Sequence, residues 1–144
     1  MQGSDRLLSH KRKMLRMICA VGMAACLFAQ ETAHTRDYQV RRRSGEHVIE
    51  VSINRNPPVI GENLTRIKVL DGRGNCVRGA EVKVNYSMPP MPGMPPMNYT
   101  VRADASGDGY LAVMNLIMRG PWNIVITVRD RAKLGRVIFP IDVR

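Results

Sequence analysis

From His47 to Val143 the chain is divided into short runs in which apolar and polar residues alternate, and this period of two restricts the fold more than any other feature. In the run 47–53, Ile49, Val51 and Ile53 fall on one face and Glu50 and Ser52 on the other, the pattern of a half-buried strand. A second run, 64–70, is closed by the turn Asp71-Gly72. In 80–87, Val82, Val84 and Tyr86 share an inner face while Glu81, Lys83 and Asn85 point out, and parity carries Met88 onto the inner row. Runs 98–102 and 109–116 are expected to pair across Asp104-Ala105-Ser106-Gly107-Asp108-Gly109. Gly120-Pro121 then introduces 122–129, with Trp122, Ile124, Ile126 and Val128 on one side, and 133–143 completes the set with Val137, Phe139, Ile141 and Val143. About seven short strands between turn signals, with no amphipathic helix, predict an all-β fold: a single immunoglobulin-like antiparallel β-sandwich.

The first residues read as a processing segment. Lys11, Arg12, Lys13 and Arg16 precede an apolar run over 17–29, and polar residues resume at Gln30-Glu31-Thr32. About 13 apolar residues suit the core of a secretory signal and fall short of the roughly 20 that span a bilayer. Residues 1–29 are therefore expected to be a signal peptide or an N-terminal membrane anchor, the tether then lying in 14–29; lipidation at Cys26 is a third outcome. Residues 30–44, polar and aperiodic, are expected to be a flexible linker, and 45–144 the folded domain. The expected location is periplasmic or otherwise extracytoplasmic. With Cys19 and Cys26 in the leader, Cys76 stands alone and no internal disulfide is expected. An unpaired thiol in a turn is its plain reading, and metal ligation or an intermolecular bridge are the alternatives.

The net charge of +10 falls to +6 over residues 30–144, where 17 Lys and Arg face 11 Asp and Glu. These cations are scattered and aromatics make up only 5% of the chain, which is not the footprint of a nucleic-acid binder. Arg41-Arg42-Arg43 is the one basic run, a solvated linker segment or a contact for anionic lipid or an acidic partner.

The stretch MPPMPGMPPM, residues 88–97, sets Met88, Met91, Met94 and Met97 three apart, with five prolines and Gly93 between them. So many prolines exclude a helix interior or a central strand. In polyproline II geometry, with three residues per turn and about 3.1 Å per residue, the four thioethers would line one edge roughly 9 Å apart, and Gly93 would allow a bend that draws Met91 and Met94 together. Thioether sulfur is soft and favours Cu(I) over zinc, calcium or magnesium. Capping one end of the sandwich and contacting a partner are the competing uses of such a loop. Met118, just before Arg119-Gly120-Pro121-Trp122, is a further candidate ligand or an ordinary core residue.

Catalytic patterns are missing. His47 and Glu50 lie three apart on a strand and so face opposite ways. His47 is read as a rim histidine, with an added ligand near the methionine loop as the alternative; His34 falls in the linker and His10 in the leader. Asp104-Ala105-Ser106-Gly107-Asp108-Gly109 imitates the first half of a calcium loop, but Asn115 stands where its bidentate glutamate belongs, so a tight turn is expected. No nucleophile–base set, zinc spacing or phosphate loop is present, and a non-enzymatic role follows.

Gly61-Glu62-Asn63, Asp71-Gly72 leading to Val77-Arg78-Gly79-Ala80-Glu81-Val82, the methionine–proline loop, Gly109-Tyr110 and Met118-Arg119-Gly120-Pro121-Trp122 together resemble the YtkA-like/FixH-like domain family over about residues 46–129. The resemblance implies an exported, often membrane-tethered β-sandwich, associated in some members with copper handling or assembly of copper-containing respiratory oxidases. It bears on Met88, Met91, Met94, Met97 and Met118 as candidate Cu(I) ligands. The expected function is an exported copper(I)-binding or copper-delivery domain acting on a protein partner. The alternative is an immunoglobulin-like interaction module whose methionine–proline loop docks a partner without metal.

Overall fold

In the computed structural model, which describes residues 37–144, eight antiparallel strands are hydrogen-bonded in the order β1-β2-β3-β6-β5-β4-β7-β8. They are β1 (Tyr38–Ser44), β2 (His47–Ile53), β3 (Gly61–Leu70), β4 (Glu81–Met88), β5 (Met97–Ser106), β6 (Gly109–Leu116), β7 (Gly120–Asp130) and β8 (Lys133–Val143). Two layers face each other, β1-β2-β3-β6 and β4-β7-β8, and β5 belongs to both. Its first part pairs with β4 from Met97 to Ala103, and its last three residues pair with β6 from Asp104 to Ser106. The architecture is the expected all-β sandwich, closed along one side by β5 into nearly a barrel.

Alternation fills the space between the layers. Ile49, Val51 and Ile53 from β2, Ile67 and Val69 from β3, and Trp122, Ile124, Ile126 and Val128 from β7 are among its buried side chains. β8 follows the same rule, Val137, Phe139, Ile141 and Val143 pointing in and Arg136, Ile138, Pro140 and Asp142 pointing out.

Two expectations are corrected. Residues 38–44, read as linker, form β1 and pair with β2 from Tyr38↔Ile53 to Ser44↔His47. Only Tyr38 and Val40 carry apolar weight there, so periodicity could not reveal it; β1 is held by its ladder and by its meeting with β8. Tyr38 stacks on Phe139 and donates its hydroxyl to the Pro140 carbonyl at 3.1 Å, while Ser44 Oγ accepts the Arg136 N–H at 2.8 Å. Together with Pro140, which has no N–H to offer, these contacts blunt the β8 edge. The second correction concerns residues 98–102, which pair with β4 rather than with 109–116. The β5–β6 turn is only Gly107-Asp108, and the strand changes partner at Asp104.

Two polar groups explain sequence signatures noted above. Asn63 is wholly buried, its amide donating to the carbonyls of Val59 at 2.7 Å and Gly61 at 2.9 Å and accepting the Val59 N–H at 3.1 Å. The Tyr110 hydroxyl accepts the Ala80 N–H and donates to the Val77 carbonyl, both at 2.9 Å, which pins the Val77–Ala80 crossing to β6. Each satisfies backbone groups that irregular segments would otherwise leave unpaired. The described residues contain no helix long and apolar enough to cross a membrane. Expectations for the leader and for residues 30–36 lie outside the described residues, as do His10 and His34.

Candidate functional site at the methionine hairpin

The methionine loop is the β4–β5 hairpin connection. Its ladder ends at the facing pair Met88↔Met97, because Pro89, Pro90, Pro95 and Pro96 have no N–H with which to extend it. At the tip, Met94 N–H donates to the Met91 carbonyl at 3.1 Å and Gly93 has φ of +79°. Proline and then glycine at the centre of Met91-Pro92-Gly93-Met94 are the residues a type II turn requires. The chain thus reverses at Gly93, and the continuous edge of four thioethers is replaced by two opposed pairs, Met88 with Met97 at the base and Met91 with Met94 at the tip. Residues in a facing ladder pair lie about 4.5–5.5 Å apart at Cα, and the ends of a turn under about 7 Å.

The five candidate methionines differ in exposure. Met88 is 4% exposed, on the inner row that its parity implies, with its Cε 3.5 Å from where a Cβ on residue 120 would sit. Met97 and Met118 are half-buried and pack against the core, Met94 is half-buried, and Met91 is exposed. Met118 joins the base of the hairpin through its backbone, its carbonyl accepting the Trp122 indole N–H at 3.0 Å.

Beneath this end lies an aromatic cluster that sequence reasoning missed. Tyr86 and Tyr99 face each other across the ladder with ring centroids 5.4 Å apart, and each also meets Trp122, at 6.0 and 6.4 Å. The signal is present in the near-palindrome Tyr-Ser-Met-Pro-Pro-Met-Pro-Gly-Met-Pro-Pro-Met-Asn-Tyr, residues 86–99, whose symmetry about Pro92-Gly93 matches the hairpin register. On the outward side Asn85 donates to Asn98 at 2.6 Å and to Thr100 at 2.9 Å, binding the two strands below the loop. Ile60 and Ile117, just beyond the pair Gly61↔Leu116 at the same end, are each 48% exposed.

His47 is at the opposite end. It is buried beside the β7–β8 turn with Nε2 3.7 Å from Asp130 Oδ2, so the fold separates it from the methionine loop. Cys76 has a free, half-buried thiol, and its backbone forms an isolated antiparallel bridge with Leu70 at that far end. Several ion pairs also lie away from the hairpin: Lys83 holds the Glu81 carboxyl below its usual range, chiefly by hydrogen bonding, and Lys68 does the same to Asp108. Residues 88–97 contain no ionisable side chain. Among the described residues no group of three or more His, Cys, Asp or Glu side chains is placed to hold a metal ion.

A YtkA-like family model matches residues 43–127, more than half of the chain. The chain belongs to the YtkA-like family. The match runs from β1 into β7 and includes the methionine hairpin, Met118 and Trp122. β8 lies beyond it, although Val137, Phe139 and Ile141 of β8 help to form the core of this YtkA-like domain. No curated protein and no solved structure matches the chain.

Proposed function

We propose that this domain is a non-enzymatic, extracytoplasmic Cu(I) carrier that holds the ion through methionine thioethers of the β4–β5 hairpin and passes it to a protein partner. The observation that carries this reading is the reversal at Pro92-Gly93, which brings Met91 and Met94 to either side of one turn above half-buried Met97 and Met118. Neutral, polarizable sulfur suits a soft monovalent ion and, unlike thiolate, forms no disulfide in an oxidising compartment. The donor set fits such an ion: Met91, Met94 and Met97 are the accessible ligands, Met118 is a fourth, and Met88 contributes only by turning out of the core. Ligation by a few adaptable thioethers suits transfer, and the family resemblance to oxidase-assembly and copper-homeostasis domains supports that use.

Anaerobic Cu(I) titration against a competing chelator tests the reading. The parent is expected to take up copper, and a variant with Met88, Met91, Met94 and Met97 changed to leucine is expected to lose it; equal uptake by both would remove the hairpin from the site. Because the ligands do not titrate, affinity should stay level from about pH 5 to 8, the range in which a histidine site would change. Gly93→Ala places a Cβ at positive φ, at a cost of about 1–2 kcal/mol. If the copper-free hairpin tip opens to release this strain, which only the Met94 N–H to Met91 carbonyl bond opposes, Cu(I) binding should weaken roughly fivefold or more with little change of midpoint; if the tip stays closed, the midpoint should fall by roughly 4 °C or more.

A second reading is favoured by Ile60 and Ile117: this end docks a protein partner and binds no metal. Leucine retains the apolar volume of methionine, so the four-leucine variant would then keep its partner.

A further inference from the structure

The passage of β5 from one layer to the other leaves a strand edge open. Ser106 and Gly109 flank the two-residue turn Gly107-Asp108, in which Gly107 has positive φ, so they exchange both their backbone hydrogen bonds. Bonding direction alternates along a strand, so the N–H and C=O groups of Asp104, Arg102, Thr100 and Asn98 point away from β4, as those of Ser106 do. The Tyr99 carbonyl has the other parity and accepts the Asn85 amide of β4 at 3.0 Å. β6 meets β5 only as far as Asp104↔Leu111, and among the described residues nothing pairs with Asn98, Thr100 and Arg102 on their free side. The inward row beside them is uncovered too. Tyr99 is 38% exposed and Met97 and Val101 are half-buried, whereas their β4 partners Tyr86, Met88 and Val84 are buried. At the opposite seam Tyr38 and Ser44 of β1 occupy the β8 edge. Residues 97–103 have no proline or lysine to guard their edge, and their ladder with β4 is unbroken.

We propose that the β5 edge pairs antiparallel with the same edge of a second copy of this chain, about a twofold axis at Thr100. Main-chain bonds to a free edge give such a contact its affinity. With the axis there, Thr100 faces Thr100 of the second copy and Asn98 faces its Arg102, and each facing pair exchanges two N–H···O=C bonds. Every free backbone group of Asn98, Thr100 and Arg102 is then used. An axis one or two residues nearer the hairpin sets Arg102 or Thr100 opposite Pro96, which has no N–H. An axis one or two residues the other way sets Asn98 or Thr100 opposite Asp104, which is already paired with Leu111. The sequence of the edge thus suits itself in one register. That register also brings Tyr99 against Val101 of the second copy, an aromatic and β-branched pair that stabilises adjacent strands, and it covers the exposed ring. On the outward side Asn85 donates to Thr100 Oγ1 at 2.9 Å, so Asn85-Thr100-Thr100-Asn85 forms a continuous polar row across the axis. A contact of this isologous kind closes as a dimer. The joined sheet runs from β8 of one copy to β8 of the other, with the two methionine hairpins at opposite ends of its strands. Copper takes no part in the contact.

Sedimentation velocity of the full chain and its variants, through the micromolar range, tests the pairing; the leader is common to all. The parent should pass from monomer to dimer as concentration rises. Thr100→Pro removes an N–H that no bond within the chain uses and should weaken the dimer roughly tenfold or more. Asn98→Arg sets like charges opposite each other at Arg102 and should weaken it roughly fivefold. Asn98→Asp keeps the oxygen that accepts from Asn85, gains an opposite charge for Arg102, and should tighten the dimer roughly threefold. Gln39→Glu makes the same change of charge on exposed β1 and should alter affinity less than about twofold. Register is read by cross-linking with diamide. Facing residues on the axis lie about 5.5 Å apart at Cα, within reach of a disulfide, so Thr100→Cys should give a reducible dimer. Asn98→Cys stands about 13 Å from its counterpart and should cross-link no more than the parent. Equal cross-linking by the two cysteine variants would overturn the proposal, as would Thr100→Pro and Asn98→Arg proteins that both dimerise like the parent. A parent that stays monomeric would overturn it too, and would leave the edge to an extended segment of another protein.

Discussion

Replacing Trp122 with alanine is expected to destabilise the domain by about 3–5 kcal/mol, the largest single-residue effect on this end of the sandwich. Trp122 is fully buried, lies against Tyr86 and Tyr99, and donates its indole N–H to the Met118 carbonyl. Alanine removes the aromatic contacts, opens a cavity and leaves that carbonyl without its donor. In a domain of this size about 1 kcal/mol moves the midpoint by roughly 4–8 °C, so a fall of about 15 °C or more is expected in circular-dichroism melts. Trp122→Phe keeps most of the ring contact and loses the donor, and should cost about 1–2 kcal/mol. If the two variants melt together, the hydrogen bond rather than the packing dominates. A change of less than about 1 kcal/mol in the alanine variant would mean that the aromatic cluster does not support this end.

Seven of the eight strands were legible, six because each keeps one face in the core and burial of alternate side chains writes a period of two into the sequence, and β5, in which Ala103 is the one buried residue, because turn residues bound it. β1 was not, since its three consecutive arginines mask a strand whose hold on the fold comes from backbone pairing and from two hydroxyls on the β8 edge. The change of partner within β5 was hidden for another reason: local preference makes 97–106 extended, but which neighbour each half meets is settled by tertiary packing. At the candidate site, proline spacing correctly marked a loop and Gly93 a bend. The polyproline period alone described a straight edge, and only the register Met88↔Met97 turned it into opposed pairs. His47 shows the limit most plainly, because nothing local records at which end of a sandwich a strand begins.

Gly109→Ala is expected to cost about 3 kcal/mol, at the upper end of what overpacking does, for a reason that backbone flexibility does not supply. A Cβ at residue 109 would lie 2.5 Å from the Ile67 carbonyl oxygen and 3.4 Å from its carbon. Those atoms belong to β3, where Ile67 faces Tyr110, so relief of the clash requires the β3–β6 ladder to part beside the tyrosine that pins the Val77–Ala80 crossing. Gly107, two residues earlier in the same turn, is the contrasting case: its φ is +58° and nothing lies within 4 Å of an added Cβ. Asparagine tolerates that left-handed conformation, so Gly107→Asn should change stability by only a few tenths of a kcal/mol, whereas Gly109→Asn should be at least as harmful as alanine. Urea denaturation of the three variants separates the causes. Equal losses at 107 and 109 would point to general intolerance of the turn, and a neutral Gly109→Ala would show that β3 and β6 do not approach as closely as the ladder requires.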